Sequence, residues 1–296
     1  MPAPLIFRRL VLAVGHGDAS TETMREVAEL ARLLGLDLHC VLVEDEALFT
    51  LTALPFAREL RLPNHEWRPI ETTRLADEYA GMARELRRTL AQLGVAHALE
   101  VLRGDPAASI GTLCQASDII VLADAGTGRR PRLLPVDRLQ EAARRSAASV
   151  LLLPARPPTR ATPVAAMLAD SADRSLEVAA RIAASTGAAL LVVLAGAAAG
   201  AAETVRATAA SLGVPARLLE IREAPGRDLA GLLHALGRTH ERLIVLDHAA
   251  WPMAGDGIAS RLAAARGVPV LVIEAPRDGD AAAPPASDAG AGATSR

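Results

Sequence analysis

Short runs of consecutive apolar residues alternate along this chain with longer segments in which apolar residues return every three or four positions. The first run is Leu10–Val14, and the next is Leu38–Val43; between them, apolar residues recur at helical spacing from Met24 to Leu34. Continuous runs are typical of strands buried on both faces of a parallel sheet, and the longer spacing is typical of amphipathic helices. The pattern therefore predicts a strand–helix–strand unit with a right-handed crossover.

The alternation continues until a first half of five strands is complete. Asp105 and Pro106 mark one helix start, because Asp caps helices and Pro fits their first turn. The other predicted elements of this half are a helix at 74–93, a strand at 98–102, a strand from 118, an Arg-rich helix ending at 147 and a strand at 149–153.

The second half repeats this order. Its predicted strands lie at 164–168, 189–194, 218–221, 243–248 and 268–273, and its predicted helices at 174–186, 202–212, 226–239 and 259–266. Gly94 precedes Pro106 by the same interval by which Gly213 precedes Pro225, which favours duplication of one β/α unit. The expected organisation is a first domain at 1–156, a Pro-rich linker at 157–163, a second domain at 164–276 and a disordered tail at 277–296.

The segment 44–73 breaks the pattern. It contains three prolines and three of the chain's six aromatic residues, Phe49, Phe56 and Trp67. We interpret it as an insertion that covers a core edge or a cleft. Simple packing onto its own domain is one alternative, and docking of a protein partner through residues 49–67 is another.

Charge and composition exclude several functions. The net charge of −2 gives no general attraction to nucleic acid or to anionic lipid. All 32 basic residues are Arg, and the absence of Lys excludes Walker-A ATPases, Schiff-base enzymes and protein kinases. The two cysteines, Cys40 and Cys114, lie in separate predicted elements and form no disulfide framework. The uncharged segment 185–202 is mostly Ala and Gly and is interpreted as a strand and a loop, so we expect a soluble cytoplasmic protein.

A ligand of a parallel α/β sheet binds beyond the carboxyl ends of the strands, where the strand order reverses. In a five-stranded sheet this point lies between the first and fourth strands. It is expected between 15–20 and 123–135 in the first half, and between 170–175 and 247–258 in the second.

The first-half loop has residues suited to a phosphate. Gly126 and Gly128 allow backbone amides to approach one, and Arg129, Arg130 and Arg132 can neutralise its charge. The alternative is a solvated loop with surface arginines.

The strand, Gly-containing loop, helix and strand at the end of each half, together with Asp170-Ser171-Ala-Asp-Arg-Ser175 after the first strand of the second half, resemble the universal stress protein family. The resemblance covers residues 5–156 and 160–276 as two tandem domains. It implies an α/β fold of adenine-nucleotide-hydrolase type, in which each three-layer domain has a five-stranded parallel sheet of order 3-2-1-4-5. It also implies that the halves pair through their last strands as an intramolecular pseudo-dimer, which can assemble further into a homo-oligomer. In that family the position of Asp170 meets the adenine end of the nucleotide, and Gly15 is its counterpart in the first half.

ATP-binding members of that family carry Gly, two residues, Gly, nine residues, then Gly and Ser or Thr after the fourth strand. The first half matches this only at Gly126, since Ala123 stands at the first position and Val136-Asp137 at the final pair. In the second half the positions are Asp247, Ala250 and Ala259-Ser260, where only Ser260 fits. The resemblance therefore implies a largely lost ATP site and no resident cofactor, with ATP or AMP binding as the alternative.

Other catalytic chemistry finds little support. The histidines show no metal-ligand spacing, no Gly-x-Ser-x-Gly motif is present, and Gly15-His-Gly-Asp lacks the third glycine of a dinucleotide site. His39, next to Cys40 on a predicted strand, is expected to be a hydrogen-bonded core residue. We therefore expect a non-catalytic stress-response protein; the alternatives are an adenine-nucleotide binder with weak or no ATPase activity and an interaction module. A single continuous sheet of all ten strands would contradict the two-domain duplication.

Overall fold

The structure is a computed structural model. It describes residues 7–14, 21–61, 65–123, 146, 148–154, 163–170, 172–251 and 257–274.

The described residues form twelve strands and eight α-helices. The strands are β1 (Arg9–Val14), β2 (Asp37–Asp45), β3 (Arg58–Arg61), β4 (Glu66–Pro69), β5 (His97–Gly104), β6 (Asp118–Ala123), β7 (Ser149–Leu153), β8 (Val164–Leu168), β9 (Leu190–Leu194), β10 (Leu219–Glu223), β11 (Leu243–Asp247) and β12 (Val270–Ile273). The helices are α1 (Thr21–Leu34), α2 (Glu46–Thr52), α3 (Thr72–Leu93), α4 (Pro106–Leu113), α5 (Ser175–Thr186), α6 (Ala202–Ser211), α7 (Leu229–Leu236) and α8 (Ile258–Arg266).

Ten strands form one sheet in the order β10-β9-β8-β11-β12-β7-β6-β1-β2-β5. Neighbours within each half are parallel, and each half has the order 3-2-1-4-5 that the resemblance implies. The halves meet at β7 and β12, which are antiparallel, with Leu151 opposite Leu271. The predicted α/β fold with mostly parallel strands is thus confirmed.

Our statement that a continuous ten-stranded sheet would contradict duplication was wrong. Antiparallel pairing of the two last strands merges two five-stranded sheets into one and leaves the order within each unchanged. The strand order consequently reads the same from either edge. The domain limits at 1–156, 157–163 and 164–276 stay predictions, and the predicted tail at 277–296 lies outside the described residues.

Helices cover both faces of the sheet. Leu10 and Leu12 of β1 pack into one apolar core with α1, α3, α5 and α6, whereas Val11 packs into a second core with α4, α7 and α8. A strand between two cores has no polar face, which is why its sequence is an uninterrupted apolar run.

The insertion at 44–73 forms α2 and a β-hairpin of β3 and β4, neither of which we predicted. Phe49 is buried and stacks on Tyr79 at 5.8 Å between ring centroids, so this aromatic packs onto its own half. Phe56 and Trp67 are instead 73% and 62% exposed. Only part of the insertion therefore covers the core.

Two local predictions need correction. The helix predicted at 226–239 is shorter, because the Asp228 carboxylate caps it by accepting from the Gly231 amide at 2.9 Å and Gly237, with φ of 58°, ends it. The loop predicted after β9 begins with a short 3-10 helix, Gly196–Ala198. In the part of the chain that the structure describes, no helix is both long and apolar enough to cross a membrane.

Candidate functional site

The strand order of the second half reverses between β8 and β11. The helix that follows β8 lies on one face of the sheet and the helix that follows β11 lies on the other, so a crevice opens beyond the carboxyl ends of these two strands. This is where a ligand of such a sheet is expected. The chain's own side chains occupy the crevice, as the next contacts show.

Asp173 forms a closed turn between β8 and α5. One carboxylate oxygen accepts from the Ala169 amide at 3.0 Å, and the other accepts from the amide and the hydroxyl of Ser175 at 2.9 and 2.5 Å. Burial raises the pKa of Asp173 and the charge of Asp247 adds to the rise, while the Ser175 and Ala169 hydrogen bonds oppose it. Both oxygens of the Asp173 carboxylate thus accept hydrogen bonds from within the turn between β8 and α5.

Asp247, the last residue of β11, spans the crevice. It is 4% exposed, and its two carboxylate oxygens accept from the Arg174 amide at 3.0 Å and the Ala249 amide at 2.9 Å. The Arg174 amide lies at the start of α5, where free backbone N–H groups and the helix dipole favour an anion. In this protein the anion at that position is a side chain.

Trp251 follows Asp247 by four residues and packs into the second core, on the other face of the sheet from α5. It is 3% exposed, and its indole N–H donates to the Met167 carbonyl of β8 at 3.1 Å. The Arg227 guanidinium lies 5.1 Å from the centre of the indole ring and donates to the Ala250 carbonyl at 2.7 Å. The ring is therefore enclosed on the sheet side and covered on the outer side.

Gly196 makes room for this arrangement. It has φ of +60°, and a Cβ there would lie 2.6 Å from Cδ of Arg227. Only glycine allows both the backbone conformation and the path of the Arg227 side chain.

A His–Glu pair connects the crevice with the seam between the halves. Nδ1 of His248 lies 2.5 Å from Oε1 of Glu274, whose amide donates to the Ser149 hydroxyl of β7 at 3.2 Å. Arg174 also donates to the Glu274 carbonyl, at 3.5 Å. Within the described ranges, no group of three or more His, Cys, Asp or Glu side chains is arranged to hold a metal ion.

Two of the predicted site residues lie at this edge. Asp170 is partly exposed beyond β8, and its carboxylate accepts from the Ala172 amide at 2.9 Å. Ser260 is partly exposed in the first turn of α8. Neither contacts the other in any hydrogen bond that the described residues form. The predicted residues Gly15, Gly126, Gly128 and Arg129 lie outside the described residues.

The strand registers identify which positions of the two halves correspond. Ala123 pairs with Leu153 as Asp247 pairs with Ile273, so Ala123 and Asp247 are equivalent, as the motif comparison assumes. Counting through the same registers matches Val14 with Leu168. Asp170, two residues later, then corresponds to His16 rather than to Gly15; both first-half residues lie outside the described ones.

The residues that close the crevice were missed by the sequence reasoning. Asp173, Trp251 and Arg227 match no ligand motif. Asp173 and Ser175 do form an Asx-type pattern directly before a helix, which is a usable turn signal. A tryptophan four residues after a buried strand was a second signal, since a large apolar side chain in a short loop needs a pocket of its own.

The opposite edge of the sheet carries buried ion pairs. Arg9 donates to both carboxylate oxygens of Asp118 at 2.8 and 2.9 Å and also to Nδ1 of His39 at 2.9 Å. Because arginine only donates, His39 accepts at Nδ1 and holds its proton on Nε2, next to Glu100 at 3.2 Å. His39 is therefore hydrogen-bonded, as expected.

The second half has a similar pair at this edge. Glu241, which is fully buried, contacts Arg266 at 3.0 Å. A surface cavity of about 420 Å³ adjoins it. The cavity is large enough for a small ligand. Arg266, however, already donates to Glu241 and to the Gly237 carbonyl, so we interpret the ion pair as a structural one.

Comparison with solved structures supports the fold. The chain aligns with a universal stress protein from Archaeoglobus fulgidus DSM 4304 at a TM-score of 0.63 and 13% identity, over 89% of this chain and 98% of the other. It also aligns with a functionally unknown protein from Pseudomonas aeruginosa PAO1, at a TM-score of 0.52 and 16% identity over 90% and 92% of the two chains. A candidate universal stress protein from Pseudomonas aeruginosa UCBPP-PA14 gives 0.51 and 16%, over 90% and 94%. No protein-family model matches the chain, and no curated protein matches it significantly in sequence. At these identities the likeness establishes a fold shared with universal stress proteins.

Proposed function

We propose that this chain is a tandem protein of the universal stress type, with a regulatory, non-catalytic role in the stress response of the cytoplasm and a largely lost ATP site. The observation that supports the proposal comes from the second-half crevice, where the Asp247 carboxylate accepts from the Arg174 amide and the Trp251 indole donates to the Met167 carbonyl.

The residues of this crevice do not fit a nucleotide. A phosphate at the start of α5 would lie next to the Asp247 carboxylate, which already accepts from the Arg174 amide at 3.0 Å. A phosphate beside a carboxylate that is only 4% exposed is repelled more strongly than it would be in bulk water. Trp251 in addition fills space beside the strand ends and is 3% exposed.

The fold supports the rest of the proposal. A sheet that reads 3-2-1-4-5 from both edges and joins at its centre through the last strands is what two tandem domains of this type are expected to form. Similarity to a universal stress protein over 89% of the chain supports the same interpretation.

Isothermal titration calorimetry with ATP and Mg²⁺ tests the proposal, with Mg²⁺ alone as the reference titration. We expect no heat of binding up to millimolar ATP. Binding in the micromolar range contradicts the lost site and favours the alternative, an adenine-nucleotide binder that uses Gly126, Gly128 and the adjoining arginines of the first half, or Asp170 in the second half. ATP hydrolysis measured on the same sample then decides whether that binder is also an enzyme.

The hairpin favours a second role as an interaction module. Phe56 and Trp67 are 73% and 62% exposed, and Leu60, the cross-strand partner of Trp67, is 43% exposed. Exposed aromatic side chains on this hairpin and just before it favour binding of a protein surface.

Substitution of these two aromatic residues tests that role. Light scattering of the F56S/W67S double variant, compared with the parent and with an E66Q variant of the same hairpin, measures the oligomeric state. A parent oligomer that dissociates only in the double variant identifies the partner as a second copy. Unchanged oligomeric state, together with unchanged recovery of cellular partners, contradicts the role.

A further inference from the structure

The five residues from Asp247 to Trp251 connect β11 with the start of α5 and with β8. The turn begins at the end of β11, and the amides of Ala250 and Trp251 donate to the Asp247 carbonyl at 3.2 and 2.8 Å. Its two ends hold different elements: the Asp247 carboxylate contacts the start of α5, and the Trp251 indole contacts β8.

The contacts at the two ends depend on each other. The same carboxylate that accepts from Arg174 also accepts from Ala249, inside the turn, at 2.9 Å. This second bond fixes the turn in the conformation that directs Trp251 inward. Arg227 then covers the turn from outside by its bond to the Ala250 carbonyl and its position over the indole ring.

We propose that Asp247–Trp251 is an internal strap that closes the second-half crevice, and that the Asp247 carboxylate is the contact that holds it closed. The second half therefore takes no ligand while the strap is in place. This inference rests on the proposed function, because the strap would be the physical cause of the lost site in the second half.

Tryptophan fluorescence measures the strap directly. The chain has two tryptophans, so the W67F variant leaves Trp251 as the sole emitter. In that background we expect a blue-shifted emission and weak quenching by acrylamide, because the indole is 3% exposed. Asp247→Ala in the same background removes both bonds of the carboxylate and is expected to raise the quenching constant several-fold and to shift the emission to the red.

Asp170→Ala is the matched control. Asp170 lies at the same edge of the sheet, and its carboxylate accepts from a single amide, that of Ala172, at 2.9 Å. We expect this variant to keep the quenching constant of the W67F parent. Equal quenching in the Asp247→Ala variant and the parent overturns the proposal, as does an equal rise in both aspartate variants.

Circular dichroism shows whether the Asp247→Ala variant still unfolds cooperatively. If it does not, Arg227→Met replaces it as the test, because this change removes the cover of the strap and leaves both aspartates in place. A smaller rise in quenching is then expected, and no rise overturns the proposal. No nucleotide is present in these measurements, so ATP binding by the first half would overturn the proposed function and leave the strap intact.

Discussion

The buried pair of Glu241 and Arg266 allows a quantitative test of how the second half is held together. Glu241 has a fully buried side chain, and Arg266 is 17% exposed. Nε and Nη2 of the arginine lie 3.2 and 3.0 Å from Oε2 of the glutamate, and Nη2 also lies 3.0 Å from Oε1. The arginine further donates to the carbonyls of Gly237 and Thr239, so it caps the loop before β11.

The expected effect follows from these distances. Two unit charges 3 Å apart attract each other by about 5 kcal/mol at an effective dielectric constant of about 20. Desolvation of both ions offsets most of that gain in the intact pair, but removal of one partner leaves the other buried without a counter-charge. We expect Glu241→Gln to lower the free energy of unfolding by about 3–5 kcal/mol.

Urea unfolding followed by circular dichroism measures this loss. The matched control is Glu177→Gln, because Glu177 also pairs with an arginine, Arg181 at 2.7 Å, but its side chain is 41% exposed. Such a pair contributes about 0.5 kcal/mol or less. In an E241M/R266M double variant no unpaired charge is left, so its loss is expected to be well below the sum of the single variants. A Glu241→Gln loss no larger than that of the control refutes the reasoning.

Three further predictions concern single positions. Gly196→Ala forces a side chain into a left-handed conformation against Arg227, so we expect a loss of about 1–2 kcal/mol in urea unfolding. Burial and two acidic neighbours on α1 raise the pKa of Glu26 to about 7 from 4.5. Its contribution to stability is complete below pH 4.5 and is lost as the pH rises through 7, so thermal melts should show Glu26→Gln more stable than the parent at pH 8 and equal to it at pH 4. Asp118→Asn removes the charge that Arg9 binds through two hydrogen bonds, and a loss of about 2 kcal/mol is expected by urea unfolding.

The fold was largely predictable because most strands away from the edges of the sheet are buried on both faces. Side chains from the run Leu10–Val14 pack into both cores. The run is therefore continuously apolar, and this pattern predicts a buried strand. The antiparallel seam was harder to predict from residue patterns alone. Pairing of β7 with β12 depends on which strands lie at the edge of each half. Nothing in the local sequence of Val270–Ile273 distinguishes a seam from an open edge.

The candidate site was less predictable for a physical reason. Ligand motifs describe residues that contact a ligand. They do not describe side chains that take the position of the ligand. The sequence showed that Asp247 stands where the motif has a glycine. It did not show that the Asp247 carboxylate accepts a hydrogen bond from the Arg174 amide, which lies 73 residues earlier in the chain. Trp251 is bonded to a carbonyl 84 residues away. Such partners become visible only when the sheet brings β8 next to β11.

The register of the seam also bears on how the two crevices relate. Val150 lies opposite Val272 and Leu152 opposite Val270, with Leu151 and Leu271 facing each other between them. This is the pattern that a twofold axis through the central pair produces, since equivalent residues exchange places across it. The same axis relates the strand ends of the two halves, so Ala123 and Asp247 occupy corresponding positions. Alanine at position 123 is uncharged, whereas the carboxylate of Asp247 repels an anion. The two halves therefore differ chemically at the position of the first glycine of the motif. The first half has no tryptophan after its fourth strand, so Ala123→Asp is not expected to reproduce the strap there.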